Sequence, residues 1–251
     1  VAVLASVASG GLGLARAGLR VVATGATAAG VALAARRLEA RGAGWRDRAG
    51  LLHDGSRAAL RVHGVEVDAR GALPAGPALL ACNHVSWLDP LVVAAALPCV
   101  PISKLDVRGW PVFGPLAGRL GVIFHARGDG ASGLRVLREA EAALAAGLPV
   151  LNFPEGTTTD GREVLRFHRG LFGLAARTGV PVVPVALRYD PPDLAWIGDD
   201  TFLPHYLRLA ARGASMVRLR LGEPLLPGGE IDAAALAAET RARVVTLLEA
   251  A

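Results

Sequence analysis

Of the 27 basic residues in this 251-residue chain, one, Lys104, is lysine. Cysteines number two, methionine one, and aromatic residues make up 5%. Each scarcity excludes something. Cys82 and Cys99 both sit in apolar contexts. They form no disulfide or metal framework and read as buried free thiols in a reducing compartment. None of the six histidines has another at i, i+4, so a helical metal-ligand pair is absent. Aromatics are few, and no run interleaves basic with aromatic residues, so the net charge of +5 does not point to nucleic acid. An Arg-, Ala- and Gly-rich composition with almost no lysine is that of a GC-rich coding sequence instead. What is abundant is apolar surface: hydrophobic residues are 52% and the mean hydropathy is +0.40. The length suffices for one α/β domain with a sizeable core, and the hydropathy predicts association with a membrane.

The N-terminus differs from the rest. Residues 1–15 and 21–35 are uncharged and flank Arg16-Ala17-Gly18-Leu19-Arg20. Each run is shorter than the roughly 20 residues a span needs. Arg36, Arg37, Arg41, Arg46 and Arg48 follow, with Glu39 and Asp47 among them. Two readings compete. One is a weak transmembrane or re-entrant segment with a positive cytoplasmic flank. The other is a helix pair lying in one leaflet, its arginines on anionic head groups. The second is preferred, because Arg16 or Arg20 at a bilayer centre would cost about 2.5–3.5 kcal/mol. A cleaved signal peptide fits poorly, since the basic flank follows the apolar run. The chain begins at Val1, which leaves room for residues upstream and a span that starts earlier. The expected organisation is a membrane-associating helical segment over residues 1–50 and a main domain over residues 51–251.

Beyond residue 50, strand-like and helix-like stretches alternate. Strands are predicted at 60–67, 78–82, 100–103, 121–124, 149–153, 182–188 and 216–221. Helices are predicted at 90–96, 134–144, 170–178 and 231–248. This alternation predicts an α/β fold with a mixed, largely parallel central sheet flanked by helices.

The densest chemistry lies in Asn83-His84-Val85-Ser86-Trp87-Leu88-Asp89, directly after the apolar run at 78–82. Pro90 follows, so Asp89 reads as a helix N-cap with proline at the first helical position. His84 then sits on a short strand-to-helix loop that turns its imidazole back to the Asp89 carboxylate. A carboxylate fixes the tautomer of a neutral histidine and steadies the cation formed when it takes a proton. Such a pair is a general base without a nucleophile of its own, and the substrate must supply one, most simply a hydroxyl. The competing reading, a purely structural His–Asp contact, is the more common fate of such spacing taken alone. A second motif, Pro154-Glu155-Gly156-Thr157-Thr158-Thr159-Asp160-Gly161, follows the strand at 149–153. It reads as a turn with exposed backbone N–H groups, able to hold an anion or a polar head group, or as an ordinary Thr/Asp/Gly loop.

Together these motifs resemble the glycerolipid acyltransferase family, which includes the 1-acyl-glycerol-3-phosphate acyltransferases. The family's Asn-His-four-residues-Asp matches at Asn83, His84 and Asp89, and its Phe-Pro-Glu-Gly-Thr at Phe153 to Thr157. A Phe-x-x-Gly element fits Phe167 to Gly170. A strand ending in arginine after a Gly-Pro turn fits Gly114-Pro115 and 121–127. An apolar strand around Val-Pro fits 180–185. Order and spacing agree over roughly residues 60 to 225. Thr158, His125 and His168 depart from the commoner family residues, and those departures bear on the acceptor.

The resemblance implies acyl transfer from a thioester, on acyl carrier protein or coenzyme A, to the hydroxyl of a lysolipid. His84 would be the base and Asp89 its orienting partner. Arg127, His168 and Arg169 are candidates for the acceptor's phosphate or carboxylate, Arg127 having an internal salt bridge as its alternative. Glu155 is expected to accept a hydrogen bond from an acceptor hydroxyl, the alternative being that it holds the turn through backbone N–H groups. Gly156, Thr157 and Thr158 complete the expected substrate site. Oxyanion donors are expected from the backbone around Gly156 or from the 83–86 loop. No metal or organic cofactor is required, because the thioester is already activated. The family default acceptor is 1-acyl-glycerol-3-phosphate, giving phosphatidic acid. The Thr-rich turn looks like members acting on other lysolipids, including lyso-ornithine lipid. The expected location is the cytoplasmic face of the inner (plasma) membrane. One decoy remains: Gly128-Asp129-Gly130-Ala131-Ser132-Gly133 formally matches a dinucleotide-binding Gly-x-Gly-x-x-Gly, the mark of a dehydrogenase.

Overall fold

The computed structural model describes residues 2–126, 128–198, 200–228 and 232–250. Seven strands form one sheet: β1 (Val65–Arg70), β2 (Leu79–Cys82), β3 (Val100–Lys104), β4 (Ile123–His125), β5 (Val150–Asn152), β6 (Val182–Asp190) and β7 (Ser215–Leu221). Their order is β1-β7-β6-β2-β5-β3-β4. Every neighbouring pair is parallel except β6–β7. The mixed, largely parallel sheet predicted from the alternation is therefore present. Side chains alternate across it as a strand's two-residue period requires. Leu80 and Cys82 enter one core, Leu79 and Ala81 the other. With both faces covered, all four residues of β2 are buried, which explains why that strand reads as a continuous apolar run.

Helices α1 (Ala2–Ala40), α2 (Trp45–His63) and α3 (Asp89–Ala96) contribute to the first core. Helices α5 (Gly130–Ala145), α6 (Gly170–Thr178) and α8 (Ala233–Glu249) build the second. Helices α4 (Phe113–Arg119) and α7 (Phe202–Ala211) flank the first side near α1.

Three expectations need correcting, and one helix went unpredicted. The two N-terminal runs are one continuous helix that passes through Arg16 and Arg20. No proline interrupts the segment, and its inner arginines find partners: Arg16 donates to Ala211 O at 3.2 Å and Arg20 to Arg212 O at 2.8 Å. The helix pair exists, but as α1 against α2. The boundary expected at residue 50 falls inside α2. Residues 60–63 are the last turn of α2 rather than the start of a strand, because Gly64, at φ 65°, supplies the left-handed cap that ends it. Last, α7 was not foreseen, though Tyr206, Leu209 and Ala210 give it a buried face.

Candidate active site

The site lies where β2 and β5 end, at the carboxyl edge of the parallel strands. Asn83 follows β2 and replaces strand pairing with its side chain. Its Oδ1 accepts from Leu187 N at 2.7 Å and its Nδ2 donates to Leu187 O at 3.0 Å. This clamp pins the loop to β6. His84 comes next, and its Nδ1 lies 2.7 Å from Asp89 Oδ2. The same oxygen accepts the N–H of Val85 at 2.6 Å and of Ser86 at 2.9 Å. The other oxygen accepts the Tyr189 hydroxyl. Asp89 is fully buried, a placement an anion tolerates only with donors around it, and here it has four. Asp89 is not the N-cap predicted for it. Leu88 takes that position, and Asp89 opens α3 with its carboxylate folded back over the loop. The His84 ring stacks on Phe153, centroids 4.2 Å apart. Its Nδ1 is engaged, so Nε2 is the nitrogen open to a substrate.

Glu155 corrects a second expectation. It is 4% exposed, and both oxygens are committed: Oε1 accepts from His84 N at 2.7 Å and Oε2 from Leu165 N at 2.8 Å. Burial raises its pKa, opposed by these backbone donors. It holds the two motifs together instead of facing an acceptor hydroxyl. Gly156, at φ 71°, makes the turn that a side chain would strain. Thr158 donates its hydroxyl to Trp196 O, and Thr159 N donates to His84 O at 2.9 Å.

A cavity of about 630 Å³ opens beside His84. Gly156, Thr157 and Thr158 line its polar end. So do Lys104 and His125, which are register partners on β3 and β4. Ala28 and Val31 of α1, Leu52 of α2 and Leu120 make an apolar portion. Trp110, Phe113, Trp196 and Phe202 form an aromatic collar. Of the residues proposed for anion binding, Arg127 lies outside the described residues. His168 and Arg169 do not line the cavity. The His168 N–H donates to Pro154 O, and Arg169 sits at the N-cap of α6. The dinucleotide motif fails on its own helix. Asp129 caps α5, its carboxylate accepting from Ala131 N at 2.9 Å where a phosphate would need to sit.

A protein-family profile described as Acyltransferase matches residues 60–188. The chain belongs to the Acyltransferase family. A lyso-ornithine lipid O-acyltransferase of Pseudomonas aeruginosa is 41% identical over 184 residues, 71% of this chain and 70% of that protein. One from Brucella abortus is 35% identical over 227 residues, 83% and 84% of the two chains. A 1-acyl-sn-glycerol-3-phosphate acyltransferase of Neisseria gonorrhoeae is 36% identical over 138 residues, 55% of this chain and 54% of that protein. The crystal structure of the 1-acyl-sn-glycerophosphate acyltransferase PlsC from Thermotoga maritima superposes with a TM-score of 0.70 at 21% identity, covering 98% of this chain and 96% of that one. That likeness shows a shared fold. In this acyltransferase, sequence reasoning missed Lys104 and His125 as cavity residues. The signal for His125 was its place in the strand matched to the family's second motif. For Lys104 it was only that the strand at 100–103 runs into it.

Proposed function

We propose that this acyltransferase moves a fatty acyl group from a thioester, on acyl carrier protein or coenzyme A, to the free hydroxyl of a lysolipid. The observation that carries the reading is a histidine held by a buried carboxylate at the polar end of a cavity with an apolar chamber. His84 Nε2 takes the hydroxyl proton as the oxygen attacks the thioester carbonyl, and Asp89 steadies the imidazolium. The carbon–oxygen bond forms, the carbon–sulfur bond then breaks, and the proton passes to the leaving sulfur. General-base help of this kind is worth roughly 10²- to 10⁴-fold. The carbonyl oxygen becomes an anion and needs donors. The N–H groups of His84, Val85 and Ser86 are taken by Glu155 and Asp89. That leaves the turn at Thr157 and Thr158, whose N–H groups have no acceptor among the described residues. The chemistry calls for no metal or organic cofactor.

Two acceptors are in play. 1-Acyl-glycerol-3-phosphate is the family default. Lyso-ornithine lipid is supported by the two relatives that match over more of the chain at comparable or higher identity. Its amino-acid head group would also suit a cavity lined by both Lys104 and Asp106. Amphiphilic substrates suggest a mouth at a bilayer. The outer face of α1 exposes Leu14, Leu19 and Val22, and Val112, Ile197 and Leu203 are exposed next to the collar residues. Arg16 and Arg20 are held by α7, so α1 fits a leaflet-lying attachment on the cytoplasmic face better than a crossing, although Gly11–Ala40 is long and apolar enough for one. An acceptor panel with one labelled acyl donor tests the reading. Product with a lysolipid is expected, and transfer to none would defeat it.

A further inference from the structure

We propose that Tyr189 is a positioning residue for acyl transfer, its phenol setting how firmly Asp89 orients and charges His84. The inference rests on His84 being the general base. Tyr189 lies on β6, four residues beyond the segment of that strand matched to the last family motif. It is 4% exposed, and its hydroxyl is 2.5 Å from Asp89 Oδ1. That oxygen is not the one bound to His84, whose Nδ1 meets Oδ2. The two oxygens share one delocalised charge. A donor on Oδ1 draws charge from Oδ2 and weakens the carboxylate's hold on an imidazolium.

Local geometry keeps the phenol there. Asn83 clamps Leu187 through both backbone groups. Tyr189 is two residues further along the strand, hence on the same face, and both side chains enter the core that also holds Cys82. The clamp that pins the histidine loop thus also fixes the strand register that aims the phenol. A buried tyrosine needs a hydroxyl partner, and here it is Asp89. Burial and the Asp89 charge push the Tyr189 pKa well up, so the phenol stays protonated and donates. The other titratable groups facing this cluster are Cys82, whose thiol is also pushed up, and Glu155, which is tied to the His84 backbone.

The test compares two opposite perturbations. Tyr189→Phe removes the donor. Its kcat should fall about tenfold, because a carboxylate tied down at one oxygen fewer orients the imidazole less firmly, with both KM values unchanged. The acid limb of its pH–rate profile should move to higher pH, because the imidazolium is held more strongly. The chain has two tyrosines, so replacing tyrosine by 3-fluorotyrosine in a Tyr206→Phe parent alters position 189 alone. Fluorine makes the phenol a stronger donor, and the acid limb should move to lower pH than in that parent. A merely structural tyrosine moves neither limb. Limbs that stay in place in the fluorotyrosine protein overturn the inference, even where Tyr189→Phe does not fold. Activity in folded His84→Ala would instead overturn the general base. An inactive His84→Ala with unmoved limbs overturns only the role of Tyr189.

Discussion

The Arg20 guanidinium donates to the backbone carbonyl of Arg212 over 2.8 Å and reaches Ala210 O at 3.4 Å. These carbonyls close α7, where a helix has unpaired acceptors and partial negative charge. Two arginines that interrupt an apolar sequence are thereby staples between α1 and the sheet domain, and α1 becomes a wall of the cavity. Arg20→Ala should lower the melting temperature by about 2–8 °C, from one to two kcal/mol in a chain of this size. Thermal unfolding checks this, and an unchanged midpoint would mean that α1 docks by other means.

Membrane attachment is best tested on the outer face of α1, because deleting residues 1–35 would also remove Ala28 and Val31 from the cavity. Leu14, Leu19 and Val22 are 77%, 72% and 71% exposed. Replacing all three by aspartate should release the protein from anionic vesicles in a flotation assay and leave its melting temperature within a few degrees. High salt should release only part of the intact protein, since apolar burial is not screened.

His63 provides a pH-dependent term. It is buried against α1, with Nε2 3.0 Å from Thr24 Oγ1. Burial, then the nearby Arg20 charge, lower its pKa from 6.5 to about 4. The unfolded chain therefore binds the proton more readily. The stability due to neutral His63 is fully present above pH 6.5, is lost as pH falls towards about 4, and changes no further below it. His63→Gln should flatten the slope of melting temperature against pH across that window. An unaltered slope would assign it to other groups.

The apolar chamber predicts donor selectivity. Ala28 of α1 is 9% exposed and lines it. Ala28→Phe should shift preference towards shorter acyl donors, read as the ratio of kcat/KM values across a chain-length series. A uniform fall across the series would place the acyl chain elsewhere.

Legibility from sequence followed the distance between partners. His84 and Asp89 are five residues apart at the two ends of one loop, so their contact could be read from spacing. The parallel sheet could be read because its buried strands are continuous apolar runs between helical segments. Glu155 could not be resolved, because one of its partners, His84 N, is 71 residues away and exists only once β2 and β5 pair. Arg16 and Arg20 looked like a membrane problem because the carbonyls they bind lie about 190 residues on. His168 and Arg169 carry basic groups next to a family motif, but the turn into α6 keeps both out of the cavity. Lys104 and His125 meet it through strand pairing that local pattern does not report.

The central claim is that His84 is the base and no acyl group is ever held on the protein. Single-turnover transfer of a labelled acyl group, by folded His84→Ala beside the parent, tests it most directly. The account predicts no labelled lipid above background from the variant, and no label bound covalently to either protein. Near-normal transfer by the variant, or a labelled acyl-protein in the parent, would contradict it.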